Sequence, residues 1–155
     1  HAGVVIRQVL FALRAKAATV VPWVTYTDPE LAQLGLTEAQ ARALHGTAVT
    51  VLRQEFHHND RAITDTKPAG FIKLMLVKSR PVGVTIVGAQ AGELIGLWAL
   101  ALQAGLKLGS IAAMIAPYPT LGEISKRAAG AYYTPKLFDN PRLKQVVRLV
   151  QRLLP

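Results

Sequence analysis

The pattern of hydrophobic and polar positions changes along the chain. It predicts mainly strands over residues 23–89 and only helices after them. Short stretches with an extended pattern predict five strands, over residues 23–27, 32–36, 47–57, 71–79 and 82–89. Apolar residues three and four apart, together with capping residues, predict helices over residues 3–14, 37–45, 92–105, 109–115, 120–131 and 140–154. Asp28-Pro29 and Arg80-Pro81 mark turns between strands. This order predicts an α+β fold with a largely antiparallel sheet of four to five strands, covered by helices on one face.

One predicted helix is apolar on every side. The run from Leu94 to Leu106 contains a single polar residue, Gln103, and Glu93 and Lys107 bracket it. Thirteen residues are too few to cross a bilayer as a helix. A helix that is apolar on every side is expected to be buried on every side, and a short chain has few other elements to pack around it. The run therefore predicts a contact between subunits of a two-fold dimer, in addition to burial within one chain.

The segment from Ala116 to Glu123 sets a polar pair inside apolar sequence. Tyr118 lies between Pro117 and Pro119, so its backbone is stiff, and an X-Pro bond is the kind in which cis is accessible. Thr120-x-x-Glu123 has the pattern of a capping box that opens a helix. Two interpretations are open: a turn that leads into a capped helix, or a rigid platform for the phenol.

Composition excludes several kinds of chemistry. The 155 residues include no cysteine, so the chain forms no disulfide, thiolate nucleophile or thiolate metal site. The four histidines lack metal-ligand spacing, and His57 and His58, on one predicted strand, are expected to point to opposite faces. Asp60 and Asp65 flank Arg61 as in a surface ion pair. We expect Trp23, Trp98, Tyr132 and Tyr133 to fill a core or an interface rather than stack on bases.

Positive charge exceeds negative charge by nine, and only the C-terminal segment concentrates it. The scattered basic residues elsewhere are not interleaved with aromatic residues, so we expect no nucleic-acid partner. In the tail, basic and apolar residues share one amphipathic helical pattern: Arg142, Leu143, Lys144, Val146, Val147, Arg148, Val150, Arg152, Leu153 and Leu154. One interpretation is a solvated basic face. The alternative is binding to a membrane surface or another anionic partner.

Five motifs in order along the chain, the Tyr118 segment being the last, carry a family resemblance. They are Trp23 to Glu38, Asn59-Asp60-Arg61-Ala62, Gly70-Phe71-Ile72-Lys73, Ile86 to Ile95 and the Tyr118-Pro119-Thr120-Leu121-Gly122-Glu123 end motif. Over residues 20–135 the sequence resembles the C-terminal interface domain of the pyridine nucleotide-disulfide oxidoreductases. The family's end motif usually begins with histidine. A tyrosine there resembles the mercuric reductases of that family, although those commonly end in a cysteine pair that this chain lacks.

The resemblance implies roles for the end motif. Tyr118 takes the position of the family's acid/base histidine, Glu123 that of the residue that orients it, and Pro119 that of a cis-proline. The loop is expected to contact the partner subunit's flavin through Tyr118 and Pro119. A phenol titrates near pH ~10, so Tyr118 is a poor proton shuttle at neutral pH and is expected to donate a hydrogen bond or position substrate. The implied cofactors of the parent enzyme are FAD and NAD(P)H.

The sequence also predicts a domain organisation. Residues 1–14 resemble the last helix of a flavin domain, 15–22 a linker, 23–135 the dimerisation domain and 136–155 a basic amphipathic helix. The chain has no Gly-x-Gly-x-x-Gly loop and no redox cysteines, so alone it is expected to bind no cofactor and to be inactive. No signal peptide is recognisable, which favours a cytoplasmic location. The alternatives are a non-catalytic homodimeric module and an anion- or membrane-binding protein that acts through the tail.

Overall fold

A computed structural model describes residues 2–14 and 20–153, without the side chains of residues 142 and 153. Its strands are β1 (Trp23–Thr25), β2 (Glu30–Gly35), β3 (Val49–Glu55), β4 (Phe71–Val77) and β5 (Arg80–Gly88). Its helices are α1 (Ala2–Phe11), α2 (Glu38–His45), α3 (Asp60–Thr64), α4 (Ala91–Gln103), α5 (Leu108–Ala113), α6 (Glu123–Ala131), α7 (Thr134–Phe138) and α8 (Pro141–Leu153). Residues 15–19, most of the predicted linker, lie outside the described part of the chain, as do His1, Leu154 and Pro155.

The five strands form one sheet in the order β1-β2-β5-β4-β3, and every neighbouring pair is antiparallel. The predicted α+β fold with an antiparallel sheet is therefore confirmed. The β4–β5 turn was expected at Arg80-Pro81, and this was wrong. The turn is at Lys78 and Ser79, which both have positive φ, and Pro81 lies inside β5 opposite Leu76, beside a register shift that accommodates its missing N–H.

The main core lies between one face of the sheet and helices α4, α5 and α6. Alternate residues of β4 and β5 point into it, including Ile72, Leu74, Val84 and Ile86, and all four are fully buried. Trp98 of α4 is fully buried among them, and its indole N–H donates to the Ser125 hydroxyl of α6 at 3.0 Å. This bond satisfies the polar atom of a large buried side chain, so α4 and α6 are fixed relative to each other.

The opposite face of the sheet is covered only in part. Helix α2 packs Ala41 on Met75 and Val49, and Thr37 and Gln40 form the capping box predicted for its start. Its Glu38 pairs with Arg42 and with Lys73 of β4, and those two bonds lower the pKa of Glu38. Arg53 stacks on the ring of Phe71 further along the same face. The helices were expected on one face alone, but this short helix uses the other.

Helix α4 has one uncovered side within the chain. Ala91, Ile95, Trp98 and Ala101 are buried, whereas Leu100 is 64% exposed and Gly96 lies at the surface. The apolar run thus buries one face in its own subunit. The opposite face is available for the subunit contact that the sequence predicts.

Candidate functional site

The loop between α5 and α6 carries the Tyr118 motif. The Tyr118–Pro119 bond is cis, as predicted, and the structure has a second cis bond at Asp28–Pro29. The Thr120 hydroxyl donates to the carbonyl oxygen of Pro117 at 2.7 Å, which closes the loop on itself. Tyr118 projects from this closed loop and is 69% exposed. The loop therefore holds an aromatic side chain at the surface on a well-bonded backbone.

The predicted capping box at Thr120 is only half present. The Glu123 carboxylate accepts from the Thr120 backbone N–H at 3.4 Å. The Glu123 backbone N–H donates to the Thr120 carbonyl oxygen at 3.4 Å rather than to the Thr120 hydroxyl, which itself donates to Pro117. Helix α6 begins at Glu123, and its N-cap residue, Gly122, makes no side-chain cap bond. Glu123 consequently ties the loop to the first turn of α6, and its hydrogen bond goes to the loop backbone.

A buried asparagine anchors the loop from the other side. Asn59 is 1% exposed, and its amide donates to the Thr120 carbonyl oxygen at 3.0 Å across 61 residues of sequence. Its side-chain oxygen accepts from the Ala62 N–H at 3.0 Å and caps helix α3, which the sequence analysis did not predict. In the sequence, Asn59 was recognised only as part of a family motif. An N-cap residue followed by acidic Asp60 was the available signal for α3.

The next residue of α3 bonds directly to the phenol. The Tyr118 hydroxyl donates to Asp60 Oδ2 at 2.8 Å. This hydrogen bond, with the negative charge of Asp60, raises the pKa of Tyr118 above its usual value, because it stabilises the protonated phenol. Glu123 adds a smaller increase and Arg127 opposes it. Asp60 and Asp65 were interpreted as a surface pair with Arg61. Asp65 does pair with Arg61, at 2.8 Å, whereas Asp60 is the hydrogen-bond partner of Tyr118.

A wide depression of about 660 Å³ lies beside this pair, lined in part by His57, His58, Asp60 and Arg127. The expectation that the two histidines point to opposite faces was wrong. The strand ends at Glu55, and residues 56–58 form a 3₁₀ turn that brings the two imidazole rings to 3.9 Å between centroids. Arg127 of α6 donates to the His58 carbonyl oxygen at 2.7 Å and holds this turn against the helix.

The strand-to-helix turn before α4 is the position where a nucleotide-binding fold would place a phosphate. Here the Glu30 carboxylate occupies it and accepts from the Gly92 backbone N–H at 2.9 Å. A fixed carboxylate at a helix N-terminus repels a phosphate and uses the donor that would bind it. The described residues thus do not fit FAD or NAD(P)H at this turn. Among the same residues, no three His, Asp or Glu side chains are grouped closely enough to hold a metal ion.

The Tyr118 phenol can hydrogen-bond a group placed against it and hold that group in position, but it is poorly suited to proton exchange at neutral pH. With its pKa raised, the phenol stays protonated, and its proton is directed at Asp60. The phenol oxygen retains lone pairs that can accept from a group placed outside the loop. The exposed side chain therefore offers a fixed polar contact to a second surface.

A family model described as the pyridine nucleotide-disulphide oxidoreductase dimerisation domain matches residues 21–129. The chain belongs to this family. Helices α1, α7 and α8 lie outside the matched region. In the family, the domain is the one through which two subunits form a homodimer. No helix in the described part of the chain is both long enough and apolar enough to span a bilayer.

Curated relatives and solved structures agree with this assignment. Dihydrolipoyl dehydrogenase of Staphylococcus aureus is 36% identical over 124 residues, which are 76% of this chain and 26% of that protein. The Bacillus subtilis enzyme of the same name is 38% identical over 111 residues, which are 70% of this chain and 23% of that protein. The chain thus spans about a quarter of the length of these relatives.

The likeness to solved structures shows the fold. The HOCl-induced flavoprotein disulfide reductase RclA from Escherichia coli superposes with a TM-score of 0.75 at 21% identity, over 81% of this chain and 30% of that chain. LpdA from Mycobacterium tuberculosis gives a TM-score of 0.73 at 22% identity, over 81% of this chain and 28% of that chain.

Proposed function

We propose that this chain is the dimerisation domain of an FAD- and NAD(P)H-dependent oxidoreductase, and that it supplies the Tyr118 loop to the partner subunit's active site. The observation that carries the proposal is the combination of exposure and anchorage at Tyr118. Its side chain is 69% exposed, yet its hydroxyl is bonded to Asp60 and its loop to buried Asn59. An exposed aromatic residue held in one orientation suits contact with another subunit.

Each residue of the loop has a part in this proposal. Tyr118 presents its phenol oxygen to the acceptor or to the flavin edge, and Pro119 brings the backbone close to the partner. Asp60 positions Tyr118, and Glu123 holds the loop to α6 through the Thr120 N–H. FAD and NAD(P)H supply the hydride and electron transfer of the parent enzyme. We assign their binding to parts of that enzyme outside this chain, because the Glu30 carboxylate occupies the turn before α4 where a phosphate would bind.

The remaining organisation follows the same proposal. Residues 1–14 belong to the preceding flavin domain, 15–22 to a linker, 23–135 to the dimerisation domain and 136–155 to an added tail. The chain alone is inactive, and the parent enzyme is cytoplasmic. The two-fold dimer buries the exposed side of α4 around Leu100.

The raised pKa of Tyr118 favours an acceptor whose reduction needs no proton from this position. A soft metal ion held by thiolates elsewhere in the enzyme, as in the mercuric reductases that the tyrosine resembles, is such an acceptor. A dithiol exchange that requires a base near neutral pH is disfavoured, because the phenol remains protonated there.

Kinetics of the full-length flavoprotein test the proposal. We expect Tyr118→Phe to lower turnover with the acceptor at least several-fold while flavin reduction by NAD(P)H, measured by stopped flow, stays unchanged. Tyr26→Phe is the matched control, since Tyr26 is 80% exposed and lies outside the loop. Tyr118→His restores a group that exchanges protons near neutral pH and is expected to raise activity toward small disulfides.

Glu123→Gln separates two functions of the carboxylate. The amide oxygen still accepts from the Thr120 N–H, so the variant behaves as wild type if Glu123 only holds the loop. A severe loss of turnover shows that its charge acts on the reaction. Wild-type kinetics for Tyr118→Phe and Glu123→Gln together would refute a catalytic loop and support the alternative, a non-catalytic homodimeric module.

A further inference from the structure

Helix α8 divides into an apolar and a basic side. It begins at Pro141 behind Asn140, whose side-chain oxygen accepts from the Leu143 N–H at 3.4 Å. At 100° per residue, four apolar residues fall within one arc of about 100°: Leu143, Val146, Val147 and Val150. Leu149 lies about 60° further round, with the position of Arg142 between it and Val146. The opposite arc carries Lys144, Arg148, Gln151 and Arg152. The two sides of the helix differ sharply in their affinity for water.

The apolar side is uncovered. Val146 is 55% exposed and Leu149 57% exposed, while Val147 and Val150 are each 45% exposed. Helix α7 adds Leu137 and Phe138, which are 53% and 66% exposed. Across an open groove of about 460 Å³ they face Leu143 and Val147 at one edge of the apolar arc, and Lys144, Arg148 and Gln151 line the rest of the groove. Exposure of so many large apolar side chains on one short segment marks an interaction surface.

Charge decides among the possible occupants of this surface. Residues 134–153, which form α7, α8 and the junction between them, contain five basic residues and one acidic residue, Asp139, in a chain whose net charge is +9. The other exposed apolar helix, α1, carries Arg7 and no acidic residue, so α1 or a second α8 docked on the apolar arc would offer no negative charge to the basic arc. An anionic bilayer surface contacts both arcs of the helix.

We propose that the α7–α8 surface binds the face of an anionic lipid bilayer. The axis of α8 lies parallel to the membrane plane, with Val146, Val147 and Val150 entering the boundary between headgroups and acyl chains and Phe138 at the edge of this surface beside Val147. Arg148 and Arg152 remain among the anionic headgroups. A helix with a wide apolar arc, a basic opposite arc and no acidic residue has the composition of an interfacial anchor. Because α8 lies outside the family match, this proposal stands or falls separately from the proposed function.

Vesicle co-sedimentation of the full chain tests the proposal. We expect binding to phosphatidylcholine vesicles that contain about 30% phosphatidylglycerol, and much weaker binding to pure phosphatidylcholine vesicles. Binding to the anionic vesicles should fall steeply as salt shortens the Debye length from about 10 Å at 0.1 M to about 3 Å at 1 M.

Two pairs of double variants separate the contribution of the basic charges from that of the inserted apolar side chains. Arg148→Gln with Arg152→Gln is expected to weaken binding to the anionic vesicles by about 30-fold, which corresponds to about fivefold for each basic charge removed. Lys67→Gln with Lys107→Gln removes two exposed charges outside the tail and is expected to change binding less than about threefold. Val146→Asp with Val150→Asp is expected to abolish binding, and Val146→Leu with Val150→Leu to preserve or strengthen it.

Several outcomes would overturn the proposal. No vesicle binding by the wild-type chain refutes it directly. Equal binding to anionic and neutral vesicles refutes the role of charge. If the wild-type chain binds no vesicle but Val146→Asp with Val150→Asp halves its mass in light scattering, a second copy covers the surface. Circular dichroism and an unchanged unfolding midpoint show that the full chain carrying the two aspartates is folded. A loss of vesicle binding by this folded variant then supports insertion of the apolar side of α8 into the bilayer.

Discussion

Asn59 joins two parts of the chain that each contribute to the Tyr118 site. It caps α3, which carries Asp60, and it holds the loop that carries Tyr118. One buried side chain thus sets the distance between the donor and the acceptor of the Tyr118–Asp60 bond. Because both of its polar atoms are bonded, its burial carries no unsatisfied group.

We expect Asn59→Ala to lower the free energy of unfolding by about 2–3 kcal/mol, since it removes the α3 cap and the shorter of the two hydrogen bonds to the Thr120 carbonyl, leaving the 3.4 Å bond from the Glu123 N–H. Urea unfolding measures this. Thr37→Ala is the matched control, because Thr37 caps α2 and makes no bond to the loop, and its expected cost is about 1 kcal/mol. Equal losses for the two variants would contradict the anchoring role of Asn59.

The pH dependence of stability reports the Tyr118–Asp60 bond. The folded state raises the pKa of Tyr118, so the stabilisation is fully present at neutral pH and is lost as pH rises from about 10 through the folded-state value. We expect the unfolding free energy of Tyr118→Phe to lack this part of the decrease at alkaline pH. The measurement is the unfolding free energy of both proteins between neutral and alkaline pH, with Tyr26→Phe as the control. Parallel curves for wild type and Tyr118→Phe would show that the bond does not form.

At this scale the sequence indicated the residues but not their pairing. Tyr118, Pro119 and Glu123 were singled out from local spacing. The partner of Tyr118 was not, because Asp60 is distant in sequence and reaches the loop only through tertiary packing of α3 on the loop. Likewise, Thr120 fitted a capping box by spacing, but its hydroxyl donates to the nearby Pro117 carbonyl oxygen and the Glu123 N–H donates to the Thr120 backbone carbonyl instead.

At the scale of elements, two glycines show opposite constraints. Gly83 of β5 passes against the chain at Leu36, and a Cβ at that position would overlap the Leu36 carbonyl oxygen. Gly96 of α4 has open space around its Cβ position within the chain. The first glycine is required by a close backbone approach, whereas the second occupies a helix interior in which alanine is preferred.

We expect Gly83→Ala to destabilise the chain by about 3 kcal/mol, because the strands must separate to admit the methyl group. Gly96→Ala is expected to stabilise it by about 0.5–1 kcal/mol in dilute, monomeric samples. Thermal or urea unfolding of the two variants at low micromolar concentration measures both effects. A neutral Gly83→Ala would contradict the close contact with Leu36.

The strands and the longer helices were predictable because their periodicity is strong and their boundaries carry capping or turn residues. Short elements were not. Helix α3 has five residues, too few to show a helical period, and α7 has Pro135 in its first turn, which also fits a loop. The 3₁₀ turn at residues 56–58 follows β3 without a glycine or proline to mark the strand end.

At the scale of the whole molecule, the family and the exposed side of α4 point to a subunit interface. We expect the chain to have the mass of a dimer in light scattering at high micromolar concentration, and Leu100→Asp to shift it to a monomer. Leu44→Asp is the matched control, since Leu44 is a leucine of α2 with 68% exposure. A monomeric wild-type chain, or a dimer broken by Leu44→Asp alone, would refute the α4 interface.

The central position of β5 has a consequence for the time course of folding. Strands β3, β4 and β5 are consecutive and pair with their neighbours in sequence, whereas β2 must find β5 across the intervening strands. Local pairings form before distant ones, so one edge of β5 stays unpaired early in folding. Its free backbone N–H and C=O groups can then pair with a strand of another molecule. In pulse-labelled hydrogen exchange we expect β4 and β5 amides to become protected first, and aggregation to fall once the β1–β2 hairpin docks.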